Sequence, residues 1–383
     1  ITNNDRMAAV ESLDVSRCRL GPDGLSRLLS FLAKNNNNSP SPMMRICLRR
    51  NAIGSVGGRA VGAFLSSSSL CGVEMMDIGL NDIKAGGGEP TAAKTIADAL
   101  KQKRSTLKTL VMDKCALGPD GATDLAEALA VNSSLETLEL AGNMIGPKGG
   151  EALFRALKSN STLMRLGLKM NRIGGCGDKA DVRSLSDALV GDNCRRIVML
   201  DLSYNDLRCS GCTILSNAIM TESCPLKELT LEKNDIKEDG ARDLANALVT
   251  NRELRTIVLK GNDIGNVGAI ALGKMLARNE ALRVLDLSSC SIGNEGGAAL
   301  GRGLARNTTL EDIGLEKNSL GSGGSDESFF SVGVMMNEGL KTLRLSGNDL
   351  AATNGRVDGV AKGVAHSSWG ESIANALSTN STL

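Results

Sequence analysis

The sequence predicts an α/β fold in which short strands and helices alternate and stack along the chain. Three observations predict it: a phrase of about 28 residues recurs, each copy contains a Leu-x-Leu pair or an equivalent apolar pair, and most copies end in a stretch rich in Ala and Leu. The copy that opens at Asn132 reads NSSLETLELAGNMIGPKGGEALFRALKS. The chain contains about twelve copies. One repeat cannot bury its own apolar side chains, so neighbouring copies must stack to form a core.

The first element of each copy is a short strand. In pairs such as Leu138 and Leu140, apolar and other side chains alternate as in a strand with one buried face. Three residues after the second Leu most copies carry Asn, at positions 51, 81, 143, 171, 205, 234, 262, 318 and 348. Its amide both donates and accepts, so we expect it to bind backbone groups where the chain leaves the strand. Three copies carry Cys18, Cys115 or Cys290 there, and a thiol suits the same buried position.

The second element of each copy is a helix. Glycine pairs after the Asn predict a turn, and the stretch GARDLANALVTN then places Leu244, Ala247 and Leu248 on one helical face. Alanines recur on these faces, which predicts that neighbouring helices pack closely.

The frame L-x-x-L-x-L-x-x-N-x-I-G-x-x-G resembles the ribonuclease-inhibitor-like subfamily of leucine-rich repeat proteins, over essentially the whole chain. The resemblance implies a right-handed solenoid of about twelve repeats bent into a horseshoe, with a parallel sheet on the concave face and helices on the convex face. It also implies a single domain over residues 1–383. Polar caps are not evident at either end and the first residue is Ile1, so we expect one or both native caps to be missing.

Segments that interrupt the frame are candidate binding loops, because insertions in solenoids map to loops. They are residues 35–42, 86–90, 174–182, 325–328 and 351–370. The last segment holds His366 and Trp369, the only histidine and tryptophan of the chain. Trp is enriched at binding hot spots, so Trp369 is a candidate partner anchor. The alternative is that it packs over the last helix and fills its groove.

Charged side chains are unevenly distributed over the predicted concave face, which carries the residues between and just beyond the leucines. The first two copies contribute basic residues, at Arg17, Arg19, Arg45, Arg49 and Arg50. The seventh and eighth copies contribute acidic residues and the only tyrosine, at Asp201, Tyr204, Asp206, Glu228, Glu232 and Asp235. Such a face would orient a protein partner of complementary charge, with Tyr204 as an anchor; the alternative is an ordinary solvated surface.

The composition limits which classes of binding partner and which cellular compartment we expect for this protein. The net charge of +1 gives no basis for binding nucleic acid or an acidic membrane surface. No apolar run approaches the length of a membrane span, so we expect no membrane insertion. The ten cysteines are spread along the chain rather than arranged as a disulfide framework, which favours a reducing, cytoplasmic location.

Catalytic and metal-binding patterns are scarce. A Ser-His or Cys-His pair would have to use His366 within an inserted segment, and no glycine-rich run ends in Gly-Lys-Ser/Thr. The pair in CSGC (209–212) could meet Cys176, but ordinary reduced thiols are the simpler interpretation. We therefore expect no catalytic residue, no cofactor and no metal.

Several N-x-S/T matches share the repeat position just after the helix, at Asn132, Asn160, Asn307 and Asn380. Asn tolerates the left-handed conformation that often ends a helix, so we expect that conformation there. These matches are by-products of the repeat rather than signs of a glycosylated protein.

The favoured function is a non-catalytic scaffold that binds a protein partner through the concave sheet and the inserted loops, as a subunit of a hetero-complex. Two alternatives remain. One is a GTPase-activating protein of the Ran type, which has similar repeats but carries an extra Asn just before the ladder Asn; this chain has none at that position. The other is the sensor region of a NOD-like receptor, which would need an upstream nucleotide-binding domain.

Overall fold

The computed structural model describes residues 10–36, 44–67, 72–84, 89–174, 182–191, 196–321, 327–350, 369–380 and 382–383. These residues fall into two compact units, one of residues 10–174 and 182–205 and one that begins at residue 206. The single domain inferred from the repeats stays a prediction.

The first unit is a parallel sheet of strands in chain order, with a helix after each strand but the last. Its elements are β1 (Ser12–Asp14), α1 (Gly21–Asn36), β2 (Arg45–Cys47), α2 (Gly54–Ser66), β3 (Met75–Asp77), α3 (Ala92–Leu100), β4 (Thr109–Val111), α4 (Gly118–Leu129), β5 (Thr137–Glu139), α5 (Gly146–Leu157), β6 (Arg165–Gly167), α6 (Arg183–Val190) and β7 (Met199–Asp201). Equivalent residues of successive copies lie side by side, for example Leu110 beside Leu138.

The second unit repeats the same alternation. Its elements are α7 (Arg208–Ile219), β8 (Glu228–Thr230), α8 (Glu238–Thr250), β9 (Thr256–Val258), α9 (Gly265–Leu276), β10 (Val284–Asp286), α10 (Asn294–Leu304), β11 (Asp312–Gly314), α11 (Glu327–Met336), β12 (Thr342–Arg344) and α12 (Trp369–Thr379). Strands β8 to β12 again pair in parallel with their sequence neighbours. Among the described helices, none has both the length and the apolar character needed to span a membrane.

The core of each unit lies between the sheet and the helices. The middle residue of most strands, such as Ile46 or Leu285, is fully buried because it points toward the helices. The first and third residues of each strand point the other way, onto the open face of the sheet. The predicted helical face of Leu244, Ala247 and Leu248 is also fully buried, which confirms the prediction of an apolar face on α8.

The asparagine after each strand forms the predicted ladder. Asn143 is fully buried, and its Nδ2 donates to the carbonyls of Met112 at 2.7 Å and Leu140 at 2.9 Å. Its Oδ1 accepts from the N–H of Cys115 at 2.8 Å, and its own N–H donates to Oδ1 of Asn171 at 2.8 Å. Each ladder asparagine therefore links its own turn to the preceding copy through its side chain and to the following copy through its backbone N–H.

Cysteine replaces asparagine in this ladder as predicted. The thiols of Cys115 and Cys290 are fully buried, and each Sγ donates to a carbonyl of the preceding copy, Ile78 at 3.4 Å and Leu259 at 3.3 Å. The predicted burial is wrong for Cys18, which lies in the first described copy and is exposed.

A second asparagine ladder runs along the position just after the helices. Asn160 Nδ2 donates to the carbonyls of Leu129 at 2.8 Å and Asn132 at 3.0 Å, and its Oδ1 accepts from the N–H of Leu163 at 2.8 Å. Nδ2 likewise donates to the carbonyl of a residue near the end of the preceding copy's helix at Asn132, Asn251, Asn279, Asn307, Asn337 and Asn380. The expected left-handed conformation is wrong, because none of these residues has a positive φ. The side chain, rather than the backbone angle, explains why Asn recurs there.

Helices α9 and α10 approach each other through glycine as well as alanine. A Cβ placed on Gly303 would collide with the carbonyl oxygen of Gly273 and lie 3.1 Å from its Cα. A Cβ on Gly273 would in turn collide with the carbonyl oxygen of Ala299. The backbones of these helices touch where the side chains are absent, which allows the repeats to stack closely.

Candidate functional site

The open face of the first unit begins with exposed arginines. Arg45 is the first residue of β2, and Arg17 and Arg50 lie on the turns after β1 and β2 with φ of 60° and 55°. Arg19 follows on the first of these turns, also with a positive φ. All of these side chains are exposed, and none forms an ion pair within the described residues. We call Arg17, Arg19, Arg45 and Arg50 the basic patch.

The remaining arginine of the predicted basic set lies in a different environment. Arg49 is half-buried, and its Nη1 lies 3.1 Å from Asp77 Oδ2 and 3.7 Å from Asp113 Oδ2. A Cβ on Gly79 would lie 2.8 Å from the same nitrogen, so this glycine leaves room for the guanidinium. Because Arg49 already has carboxylate partners, it is less available to a ligand than the basic patch.

A group of four carboxylates lies on the open face of the first unit, and only Asp201 among them was predicted from the sequence; Asp77, Asp113 and Glu139 were not. Asp77, Glu139 and Asp201 are the third residues of β3, β5 and β7, and Asp113 lies just after β4. The side chain of Glu139 fills the space over Gly167, because a Cβ there would collide with its Oε2. The sequence signal was available, since these acids occupy the strand position that faces away from the helices.

Glu139 has an unusual proton affinity. Burial, and then the negative charge of Asp113, raise its pKa from 4.5 to about 7; Arg165 acts in the opposite direction and Asp201 in the same direction. The folded protein thus holds this proton more tightly than the unfolded chain does. The ionised form therefore destabilises the fold at pH values above 7, and the effect is absent below about 4.5.

We expect Glu139→Gln to stabilise the protein at pH 8 by about 1–2 kcal/mol, a value reduced for the partial exposure of this side chain. The gain should shrink as pH falls from 7 to 5, because the wild-type carboxyl then becomes protonated. Urea unfolding of both proteins at several pH values measures this difference. A difference that stays constant over this range would show that Glu139 titrates normally.

The acidic and aromatic residues predicted for the middle of the chain fall in both units. In the first unit, Asp201 is half-buried and accepts a hydrogen bond from the N–H of Ser203 at 2.9 Å. Tyr204 is half-buried with φ of 57°, and the Lys169 Nζ lies 4.9 Å from the centre of its ring. Tyr204 thus contacts a cation within its own unit.

In the second unit, Glu228 begins β8 and is half-buried, as is Glu232. Asp206 and Asp235 are exposed on the turns with φ of 56°, and Asp235 Oδ2 lies 3.8 Å from Arg208 Nε. These residues lie on or beside the open face, as the repeat frame predicts.

A second arginine with several carboxylates was also missed. Arg344, the last residue of β12, has its Nη1 2.6 Å from Asp312 Oδ2. Its other nitrogens lie 3.7 Å from Asp286 and 3.9 Å from Glu316. As in the first unit, a glycine makes room, because a Cβ on Gly314 would lie within 2.7 Å of both Arg344 and Asp286.

Parts of the predicted binding loops lie outside the described residues. This holds for at least half of each of the segments 35–42, 86–90, 174–182, 325–328 and 351–370, and for His366. Trp369 begins α12, but its side chain is among the parts not described. Its role as an anchor or as a groove filler stays a prediction.

Four of the described thiols are poorly suited to nucleophilic chemistry because they are buried. Burial raises the pKa of Cys115 and of Cys290 to about 12, and burial also raises the pKa of Cys212 and Cys224. A thiolate is the reactive form, so these groups are not nucleophiles near neutral pH. Within the described residues no cluster of His, Cys, Asp and Glu has the arrangement of a metal site.

Comparison with protein families gives four matches to the model described as Leucine Rich repeat, at residues 10–29, 131–154, 250–273 and 278–301. A search of curated proteins found no match. Among solved structures, one similar chain is Leiomodin-1 Actin-Binding Site 2 (ABS2), with 20% identity and a TM-score of 0.33, covering 45% of this chain and 88% of that one. Similarity at this level does not extend to a binding partner. Each of the two units has the parallel strands and alternating helices of an α/β leucine-rich repeat fold, and each contains two of the matched stretches.

Proposed function

We propose that this protein is a non-catalytic scaffold that binds a protein partner through the open face of its sheet, as a subunit of a hetero-complex. Leucine-rich repeat proteins generally mediate protein–protein interaction, which supports this class of function. The repeat frame also favours the ribonuclease-inhibitor-like subtype.

One observation carries the proposal for the first unit. Strands β1 and β2 pair with Ser12 beside Arg45, so Arg17 and Arg50 occupy equivalent positions on adjacent turns. The N–H of Arg17 donates to the carbonyl of Arg49 at 2.8 Å, which keeps these turns together. Like charges held side by side destabilise a sheet, and no carboxylate among the described residues pairs with either. An acidic segment of a partner would relieve this repulsion.

Acidic residues elsewhere on the open face would then orient the partner. Asp201 presents negative charge on the open face of the first unit, so a partner with a complementary basic residue would bind that unit in one direction. On the second unit, Glu228, Glu232 and Asp235 present negative charge on that unit's own open face. Tyr204 supplies the aromatic contact that such surfaces favour.

The test is affinity capture from native extract with identification of bound proteins by mass spectrometry. We expect Arg45→Glu with Arg50→Glu to reduce recovery of the main partner at least about tenfold, because two exposed cations become anions facing its acids. Arg49 is left unchanged, since reversing it would place three carboxylates together.

A matched control is Arg27→Glu with Lys34→Glu on α1, which changes the net charge equally on another exposed surface. We expect this control to recover the partner as the wild type does. Equal recovery with the Arg45 and Arg50 variant would show that the basic patch has no role.

A further inference from the structure

The outer surface of the second unit carries a groove over α8, α9 and α10, on the side away from the sheet. Two adjoining cavities of about 490 Å³ and 380 Å³ form it and share Ile270, Lys274, Ala277 and Arg306. The groove is thus continuous across three consecutive repeats.

The floor of this groove is apolar, and glycine and alanine are prominent among its residues. Ala245 and Gly303 are buried, and Val249, Ile270 and Ala277 are half-buried between the helices. Because the helices approach closely through glycine and alanine, the floor is broad and shallow rather than a deep pocket.

All charged residues on the rim of the groove are cationic. They are Arg242, Lys274, Arg278, Arg302 and Arg306, and no Asp or Glu lines either cavity. Arg242 pairs with Asp239 at 2.8 Å, and Arg302 lies over the ring of Phe329 at 5.3 Å. Lys274, Arg278 and Arg306 are exposed and form no ion pair with any described residue. Their charge is available to a ligand.

The apolar surface continues beyond the groove onto α11. Phe329, Val332 and Met336 are 45%, 41% and 57% exposed, at positions i, i+3 and i+7 of that helix. This spacing puts them on one face. Phe329 lies beside the groove, because Arg302 of its rim lies over the Phe329 ring.

We propose that this groove binds an acidic amphipathic helix of a protein partner, on a surface separate from the open face of the sheet. The apolar floor matches the apolar stripe of such a helix, and the rim matches acidic residues flanking that stripe. The helical walls offer no unpaired backbone N–H or C=O to an extended peptide, whereas a helix satisfies its own backbone. At about 10 Å per packed helix, three helices span about 20–30 Å, the length of about 14–20 helical residues.

The test measures fluorescence anisotropy of a labelled 18-residue peptide with Leu at i, i+3, i+4 and i+7 repeats and Glu elsewhere. We expect it to bind the wild type and to lose at least about tenfold in affinity with Lys274→Glu plus Arg278→Glu. The α1 control, Arg27→Glu plus Lys34→Glu, should bind as the wild type does. Amide exchange of α9 and α10 should slow in the presence of the peptide.

Other results would overturn the proposal. A peptide of the same composition in scrambled order should bind at least about tenfold more weakly, because it has no apolar stripe. Equal binding of the two peptides would show that the groove attracts them only by non-specific charge attraction. Binding of phosphatidylserine vesicles that the Lys274 and Arg278 variant abolishes, without binding of the helical peptide, would assign the surface to a membrane. The Arg45 and Arg50 variant should bind the peptide normally, so failure here is separate from failure of the sheet-face proposal.

Discussion

Asn143→Ala is expected to destabilise the protein by about 3–5 kcal/mol, the largest effect of any single polar substitution considered for this fold. The reason is that one buried side-chain amide bonds five peptide groups, of Met112, Cys115, Leu117, Leu140 and Ala141. Its loss leaves the carbonyl of Met112 and the N–H of Cys115 without their partner, and both groups are buried between copies. Urea unfolding followed by circular dichroism measures the loss.

The chain provides its own matched control for this experiment. Asn143→Cys places at this position the residue that nature uses at Cys115 and Cys290, where the thiol donates to a carbonyl of the preceding copy. We expect it to cost about 1–2 kcal/mol, because one donor is restored and the acceptor is lost. The exposed Asn246→Ala should change stability by less than about 0.5 kcal/mol. If the alanine and cysteine variants at position 143 proved equally stable, the ladder hydrogen bonds would not be the source of stability.

Gly303→Ala is expected to destabilise the protein by about 2–4 kcal/mol, although glycine to alanine usually stabilises a helix. The new methyl group would meet backbone atoms of Gly273 on α9, which cannot move aside as a flexible side chain can. The two helices must separate, and the contacts of the whole repeat weaken with them. Thermal and urea unfolding of the variant measure the effect.

Gly24→Ala on α1 is the control for this substitution. Its nearest neighbour would be Leu20 Cβ at an ordinary 3.6 Å, so the change should stabilise by about 0.5–1 kcal/mol. The two substitutions should therefore shift the unfolding midpoint in opposite directions. A stabilising shift at both positions would mean that the contact between α9 and α10 is not tight.

Those features that every copy restates could be predicted from the sequence. The Leu-x-Leu strand, the asparagine with its cysteine substitutes and the apolar helical face each appear many times, so one misread copy does not change the prediction. The second asparagine ladder was not predicted from the sequence, for a specific reason. Asn160 was interpreted through its backbone tolerance, whereas its side chain reaches carbonyls of the preceding copy, Leu129 and Asn132.

Contacts that differ from copy to copy were harder to foresee. Arg49 was placed with the basic residues, but its ion pair with Asp77 depends on the missing side chain of Gly79 in the next copy. Glu139 depends in the same way on Gly167. The cationic groove also combines residues that each look like ordinary solvent-exposed helix positions. Register between copies, rather than the pattern within one copy, decides these contacts.

The second ladder has a consequence for where this chain can be produced correctly. Asn132, Asn160 and Asn307 are only 6%, 4% and 3% exposed, and each uses its amide hydrogens to bind a carbonyl of the preceding copy. A sugar attached to that nitrogen before folding would remove a donor and add a bulky group between stacked copies. Passage through a compartment that modifies such sequons would therefore block assembly of the fold at several places along the chain.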